Sequence, residues 1–269
     1  MIPEHEDQAA LSAQVAAERD WHDQHFGGQQ RRTRWIGTRI HDWLYSDEVA
    51  RRADRYLASV VTELSWPGQK ALECGCGSDA KLSILLKGNG VQVFSFDISY
   101  VALTKASRTS SPAGHGLTLF NAAAERLPIS SESVDIVVGE SVLHHFCLKP
   151  ALVELKRILR KGGICIFREP LRGSPLVRFF RWLTPGDRTV TEKPFDKGEF
   201  DVIRGVFAIQ RRADFFLLTP FAVVVAFISK RFATWLWGQL ELLDAHLILK
   251  FPALRRWCWQ TVVVFQKPA

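Results

Sequence analysis

Two hydrophobic periods alternate along the first two thirds of this chain. Short runs rich in β-branched and aromatic residues, at 70–74, 91–96, 117–120, 134–138 and 164–167, predict buried strands. Apolar residues at helical spacing fill the gaps and predict helices at 81–86, 100–108 and 150–160, the last stopped by Lys161-Gly162-Gly163. Ahead of the first strand, Ser46 reads as an N-cap with Asp47 and Glu48 in the first turn. Val49, Tyr56, Leu57, Val60, Val61 and Leu64 form the buried stripe of that helix, and Trp66-Pro67-Gly68 ends it. Strands and helices in strict alternation predict an α/β fold, a Rossmann-like parallel sheet covered by helices on both faces.

The texture changes after Pro170. Residues 171–195 are broken by prolines around a basic, aromatic run, Leu176 to Leu183, that reads as a lid. A polar helix over 196–204, a sixth strand near 207–211 and a final strand over 260–266 complete a seven-stranded, mostly parallel sheet whose last strand is antiparallel. Phe215 to Ile228 carries no charge but contains Pro220, and at fourteen residues it is too short for a membrane span, which takes about twenty. With the Trp235 to Leu249 region it reads either as the wall of an apolar substrate chamber or as a surface resting on a membrane. The resulting division is an N-terminal helical flap (1–45), a nucleoside-binding core (46–170), a helical cap and substrate region that includes the sixth strand (171–259), and the final strand (260–269).

The first strand runs into Glu73-Cys74-Gly75-Cys76-Gly77-Ser78, and the second ends in Asp97, twenty residues after Gly77. Glycines at such a turn let the backbone approach a ligand, and the carboxylate after the second strand is placed for the two hydroxyls of a ribose. A dinucleotide fingerprint needs a third glycine and room for a pyrophosphate at the helix start, whereas Ser78, Asp79 and Ala80 follow here. Asp79 would repel a phosphate, and Glu73 suits a cationic amine. S-adenosylmethionine carries that amine and a ribose without a phosphate, so it is the expected cofactor.

Charge and cysteine content narrow the class further. Of the net +7, the whole excess lies in the last hundred residues, which hold 15 Lys/Arg against 8 Asp/Glu. That basic portion allows an anionic substrate, a membrane surface or a solvated face, while the lack of a lysine-rich tract or a recognised binding module argues against nucleic acid. Five cysteines, an odd number, fit a reduced, cytoplasmic setting, and the polar N-terminus lacks the pattern of a secretory signal.

Four further segments extend the picture: Asp97-Ile98-Ser99, Ala124-Glu125-Arg126-Leu127-Pro128, Ser133 to Val137 running on to Leu143-His144-His145-Phe146, and Arg157 to Gly163. With the glycine turn, they make the chain resemble the class I S-adenosylmethionine-dependent methyltransferases, of the small-molecule type that includes ubiquinone and menaquinone biosynthesis enzymes. The resemblance covers about 45–170 and the final strand. It implies that Glu73, Gly75 and Gly77 hold the methionyl end, that Asp97 binds the ribose and that Ile98 packs on the adenine, near Ala124 and Glu125. Where the family usually has an aspartate for the adenine amino group this sequence has Ala123, so Asn121 or a backbone group near Ala124 and Glu125 is expected to substitute. Lys161 stands where proline is common.

Methyl transfer from a sulfonium needs alignment, exclusion of water and, for some acceptors, a base. His144 and His145 follow the strand that ends beside the cofactor; being adjacent in sequence, only one is expected to face the acceptor. Glu140 is read as a cofactor contact. The segment 20–26 reads as a flap, hinged at Gly27 and Gly28, that brings Trp21 and His22 to the acceptor. His22 and His25 lack further ligands for a metal, so none is expected. Arg178 and Arg181, with Arg188, bring positive charge to the lid. Together these features predict methylation of a mid-sized apolar or anionic small molecule at oxygen, in secondary or lipid- and glycan-related metabolism. C- or N-methylation and a non-catalytic partner subunit are the alternatives.

Overall fold

The computed structural model describes residues 4–28, 43, 49, 51–110, 116–183 and 192–268. The cap at Ser46, Asp47 and Glu48, the lid proline Pro185 and the lid cation Arg188 lie outside the described residues. Seven strands form one sheet: β1 (Lys70–Cys74), β2 (Gln92–Asp97), β3 (Thr118–Asn121), β4 (Val134–Glu140), β5 (Leu159–Pro170), β6 (Ala208–Phe215) and β7 (Gln260–Gln266). Their order is β3-β2-β1-β4-β5-β7-β6. The first five run parallel, and β7 is antiparallel to both β5 and β6. The order reverses between β1 and β4, the place where doubly wound sheets open a crevice beyond their carboxyl ends.

Alternating residues of each strand go to opposite faces. Leu72, Val137, Cys165, Phe167, Val263 and Phe265 enter one core, while Ala71, Ile136, Val138, Ile166, Val262 and Val264 enter the other. The second face is covered by α2 (Arg51–Glu63) and α3 (Lys81–Gly88), whose Leu57, Val60, Val61, Leu82 and Leu86 pack against it. Further helices α4 (Tyr100–Ser110) and α5 (Leu148–Ile158) complete the crossovers, and Leu152, Leu155 and Ile158 of α5 seal the first face. Ahead of all these, α1 (Glu4–Phe26) is a continuous helix of 23 residues lying against α4.

Two boundaries differ from the sequence pattern. The helix expected to run to Arg160 ends at Ile158, and 159–163 belongs to β5, because the Gly163 carbonyl accepts the Lys267 amide at 2.9 Å and Gly162 N–H donates to the Lys267 carbonyl at 3.2 Å. Extended backbone therefore starts before the glycines. β6 likewise continues to Phe215, which the apolar pattern had assigned to the following segment.

Beyond β5 the chain forms α6 (Pro175–Leu183) and α7 (Lys197–Arg204), the latter opened by Asp196 as a capping box with Glu199. After β6 come a turn at Thr219–Phe221, α8 (Ala222–Ala226), α9 (Lys230–Lys250) and a 3-10 turn at Pro252–Trp257. Phe216, Val223, Ala233 and Trp237 make a satellite core there with Trp43, whose indole N–H donates to Thr234 Oγ1 at 2.9 Å.

Candidate active site

A cavity of about 550 Å³ opens at the carboxyl ends of β1, β2 and β4. Its floor is the glycine turn. Gly75 has φ +62°, and a Cβ built there would come within 2.4 Å of Val142 Cγ2, so both the backbone conformation and the close approach of the β4 loop require glycine. The turn is tied to the second strand by Asp97: Oδ2 accepts the Gly77 amide at 2.9 Å and Oδ1 the Ser99 amide at 2.8 Å. Burial raises the Asp97 pKa, while those two amides oppose the rise. Each oxygen keeps lone-pair capacity on the cavity side.

Glu73 also lines the cavity, yet its carboxylate turns toward α3, where Oε2 accepts from the Ser83 amide at 2.9 Å and from the Ser83 hydroxyl. Burial pushes its carboxyl up to about 7, with the Ser83 contacts pulling partly back. Glu125 accepts the Cys147 amide at 2.8 Å and is raised by burial as well. Glu140 pairs with Arg168, whose guanidinium also meets Asp54 at 2.9 Å and Gln260 at 2.8 Å. Ile98, Ala123 and Ala124 supply an apolar stretch of wall. Asn121 is engaged elsewhere: its amide donates to the carbonyls of Asp97 and Ile98, both at 2.9 Å, so it lies off the cavity wall and is not the substitute adenine contact expected of it.

The two histidines part company. They sit in a 3-10 turn, Leu143–His145, where successive side chains point about 120° apart. His144 is buried, with Nδ1 2.7 Å from Glu169 Oε2, and Glu169 also accepts the amides of Val142 and Leu143. That pair fastens the β4 loop to β5. His145 instead lines the cavity, with Nδ1 3.2 Å from Oε2 of Glu18.

Glu18 lies on α1, which closes the cavity from above. Gln14, Val15, Glu18, His22, His25 and Phe26 line it at helical spacing, and His22 Nε2 is 3.6 Å from Glu18 Oε2. The helix is held by Asp23, which accepts from the Ser99 hydroxyl at 2.5 Å. The sequence pattern assigns 1–45 to a helical flap but singles out only 20–26 as its part over the site, although the Glu18, His22, His25 spacing already marks one helix face. Arg168 gave no signal, since a buried strand arginine looks in sequence like any edge cation.

Three lid and flap residues fall outside the cavity. Trp21 is stacked on His25 at 5.1 Å and packs edge-on to His22, behind the lining. Arg181 pairs with Glu192 at 2.5 Å. Arg178 lines a different cleft, so neither of the two described lid arginines brings its charge to the cavity. No residue beyond Arg168 lines the cavity among those described, and the apolar segments after β6 therefore do not wall it.

The residues present fit S-adenosylmethionine. A glycine floor without a Cβ, a ribose-ready carboxylate and a ring of Glu73, Glu125 and Glu140 around a cationic ligand are all in place, and the cations Lys81 and Arg168 are each paired with a carboxylate. The profile of the methyltransferase domain family matches residues 72–167. A sarcosine/dimethylglycine N-methyltransferase of Aphanothece halophytica is 26% identical over 146 residues, 51% of this chain and 53% of that protein. The chain spans about half the length of the curated relatives it matches. Among solved structures, geranyl diphosphate C-methyltransferase from Streptomyces coelicolor is similar with a TM-score of 0.62 at 12% identity, covering 94% of this chain and 98% of that one. The [4+2]-cyclase SpnF is similar with a TM-score of 0.56 at 21% identity, covering 84% and 86%. Glycine turn, sheet order and domain match agree, and residues 72–167 carry a methyltransferase domain of the class I S-adenosylmethionine-dependent kind.

Proposed function

We propose that this protein transfers the methyl group of S-adenosylmethionine to a small-molecule acceptor whose nucleophile, a hydroxyl in the first place, gives its proton to His145. The observation that carries this is the cavity-facing His145 imidazole, oriented by Glu18. When bound, the cofactor supplies a methyl carbon already activated by its sulfonium. Glu73 and the Gly75–Gly77 turn would hold the methionyl end, Asp97 the ribose, and Ile98, Ala124 and Glu125 would border the adenine, while Glu140 and Arg168 wall the cavity at the ends of β4 and β5. The cofactor would supply the methyl carbon and its sulfur would keep the carbon–sulfur electron pair, leaving only the acceptor's proton for the protein to remove. The acceptor proton passes to the free Nε2 of His145, the resulting imidazolium being stabilised by the Glu18 carboxylate at Nδ1. α1 excludes water, so alignment supplies much of the rate.

The carboxylate ring favours an uncharged or amine acceptor over an anionic one. An amine is the second reading, supported by that ring and by the N-methyltransferase relative. Because a [4+2]-cyclase shares the fold, methyl transfer must be tested directly. Incubation with methyl-labelled S-adenosylmethionine and a fractionated metabolite extract is the test. Labelled small molecules with a hydroxyl or amine origin support the reading, whereas label confined to protein or nucleic acid, or cofactor binding with no turnover on any fraction, overturns it.

A further inference from the structure

The outward face of the unit after β6 is unlike an ordinary protein surface. α9 is 21 residues long, about 30 Å at 1.5 Å per residue, and it carries large apolar residues on its outer side as well as its inner one. Ala233, Trp237 and Ile248 pack inward, while Phe232, Trp235, Leu242 and Leu249 point out along the whole length. Ile228 is 91% exposed, Leu249 79% and Leu242 66%. Large apolar side chains exposed along one helix, interspersed with Arg231, Gln239, His246 and Lys250, mark an interaction site. Among the described residues no helix is long and apolar enough to cross a membrane, so a span is not the explanation.

Charge distinguishes the candidate occupants. Between Phe216 and Trp259 no exposed residue is acidic. The two acids of this stretch are turned inward: Asp244 is buried, accepting the amides of Leu217 and Leu218, and Glu241 accepts from the Trp237 indole. The exposed charges are Arg231, Lys250 and Arg256, all positive. Next to this face lies a cleft of about 460 Å³ with seven basic side chains and one acid, Asp196, on its walls. Arg172, Arg204 and Arg212 are paired with aspartates, but Arg178, Lys197 and Arg256 have no carboxylate partner among the described residues. The cleft and the apolar face share elements. The Pro252–Trp257 turn that lines the cleft packs on α9, and α6, which carries Arg178 and the 73% exposed Trp182, packs on Thr219–Phe221.

We propose that this surface docks on an anionic lipid bilayer, with the aromatic and aliphatic residues of α8, α9 and α6 lying in the interface and the basic cleft receiving a phosphate headgroup. Apolar insertion beside cations and without acids is the pattern that binds negatively charged leaflets. A neutral protein partner or a second copy of this chain would gain nothing from the unpartnered arginines, and a second copy would bring cations against cations. The arrangement does not depend on the methyl-transfer reading.

Sedimentation of the intact protein with phosphatidylcholine vesicles, with and without phosphatidylglycerol, tests it. Phosphatidylglycerol should raise vesicle binding at least tenfold, and high salt should reverse the gain. The pair Trp235→Asp with Leu242→Asp, and separately Arg178→Gln with Arg256→Gln, should each reduce binding at least tenfold. Both lie on the surface, so melting temperature and S-adenosylhomocysteine affinity should stay as in the wild type. Equal binding to both vesicles, or to neither, overturns the proposal. So does a wild-type dimer that Trp235→Asp dissociates, since a second copy would then be the occupant. Pyrophosphate binding abolished by Arg178→Gln, without any vesicle binding, would also overturn it in favour of a soluble anion.

Discussion

His145 Nδ1 lies 3.2 Å from Glu18 Oε2, across 127 positions of sequence, and this contact joins the covering helix α1 to the loop after β4. Glu18 is nearly buried, so the pair works in a medium where charge–charge attraction is much stronger than in water. The carboxylate fixes which imidazole nitrogen faces the cavity.

His145→Ala is expected to lower kcat by about 10²- to 10⁴-fold, the range for loss of a positioned base, while S-adenosylhomocysteine affinity changes little. Glu18→Gln should give a smaller loss of kcat. Glu18, His22 and His145 lie close enough to share an ion, with their ligand atoms within 4.8 Å of one another. Exhaustive chelation should nevertheless leave turnover unchanged. A loss restored by Zn²⁺ or Mn²⁺ would make these residues metal ligands instead.

His144→Ala should act on stability. Glu169 is completely buried and keeps its backbone amides but loses its ring partner at 2.7 Å, which costs on the order of 2–3 kcal/mol for a buried charged hydrogen bond. Denaturant unfolding checks this. A variant as stable as the wild type would mean that the ring contributes nothing beyond what the Val142 and Leu143 amides already give Glu169.

The contrast between these neighbours shows where sequence reasoning stops. Strand positions, the antiparallel last strand and the glycine turn were legible because strand patterning and the φ of Gly75 are local requirements, whereas the strand order, with its reversal between β1 and β4, is set by the packed fold. Which of His144 and His145 faces the cavity depends on Glu169 and Glu18, residues 25 positions downstream and 127 upstream, and no local pattern encodes either partner. The same holds for Arg178. Its charge was evident, but the helix carrying it turns it into a second cleft. In the apolar stretch after β6, composition identified aromatic residues, yet only the packed fold separates Trp237, which is buried, from Trp235, which is half exposed.

Asp97→Ala is expected to weaken S-adenosylhomocysteine binding at least tenfold. Two charge-assisted hydrogen bonds to a ribose are worth about 1.5–3 kcal/mol each before compensation, so a tenfold loss, about 1.4 kcal/mol, is the lower bound. Removing the carboxylate also frees the Gly77 and Ser99 amides, so the loop should become more protease-sensitive. Calorimetry on the variant measures the first effect. An unchanged dissociation constant would remove Asp97 from the ribose contact.

Glu73 makes the site pH-dependent, with a sign that follows from its burial. Its carboxyl moves from 4.5 when unconstrained to about 7 in the folded protein. Between those values the folded state holds a proton that the unfolded chain has lost. The cofactor-free protein is therefore expected to lose stability as pH rises from about 4.5 to 7 and to level off above, by about 3 kcal/mol at 1.36 kcal/mol per pKa unit. Binding has the opposite slope. A cationic amine favours the carboxylate, so below pH 7 ligand binding must expel the proton. Affinity for S-adenosylhomocysteine should then rise up to tenfold per pH unit as pH climbs toward 7, and fall again at alkaline pH once the ligand's own amine deprotonates. Glu73→Gln should abolish the rise and leave the alkaline fall. Calorimetric titrations across this range, on both proteins, decide the matter: a wild-type profile as flat below pH 7 as that of the variant would separate Glu73 from the amine and leave Ser83 as its sole partner.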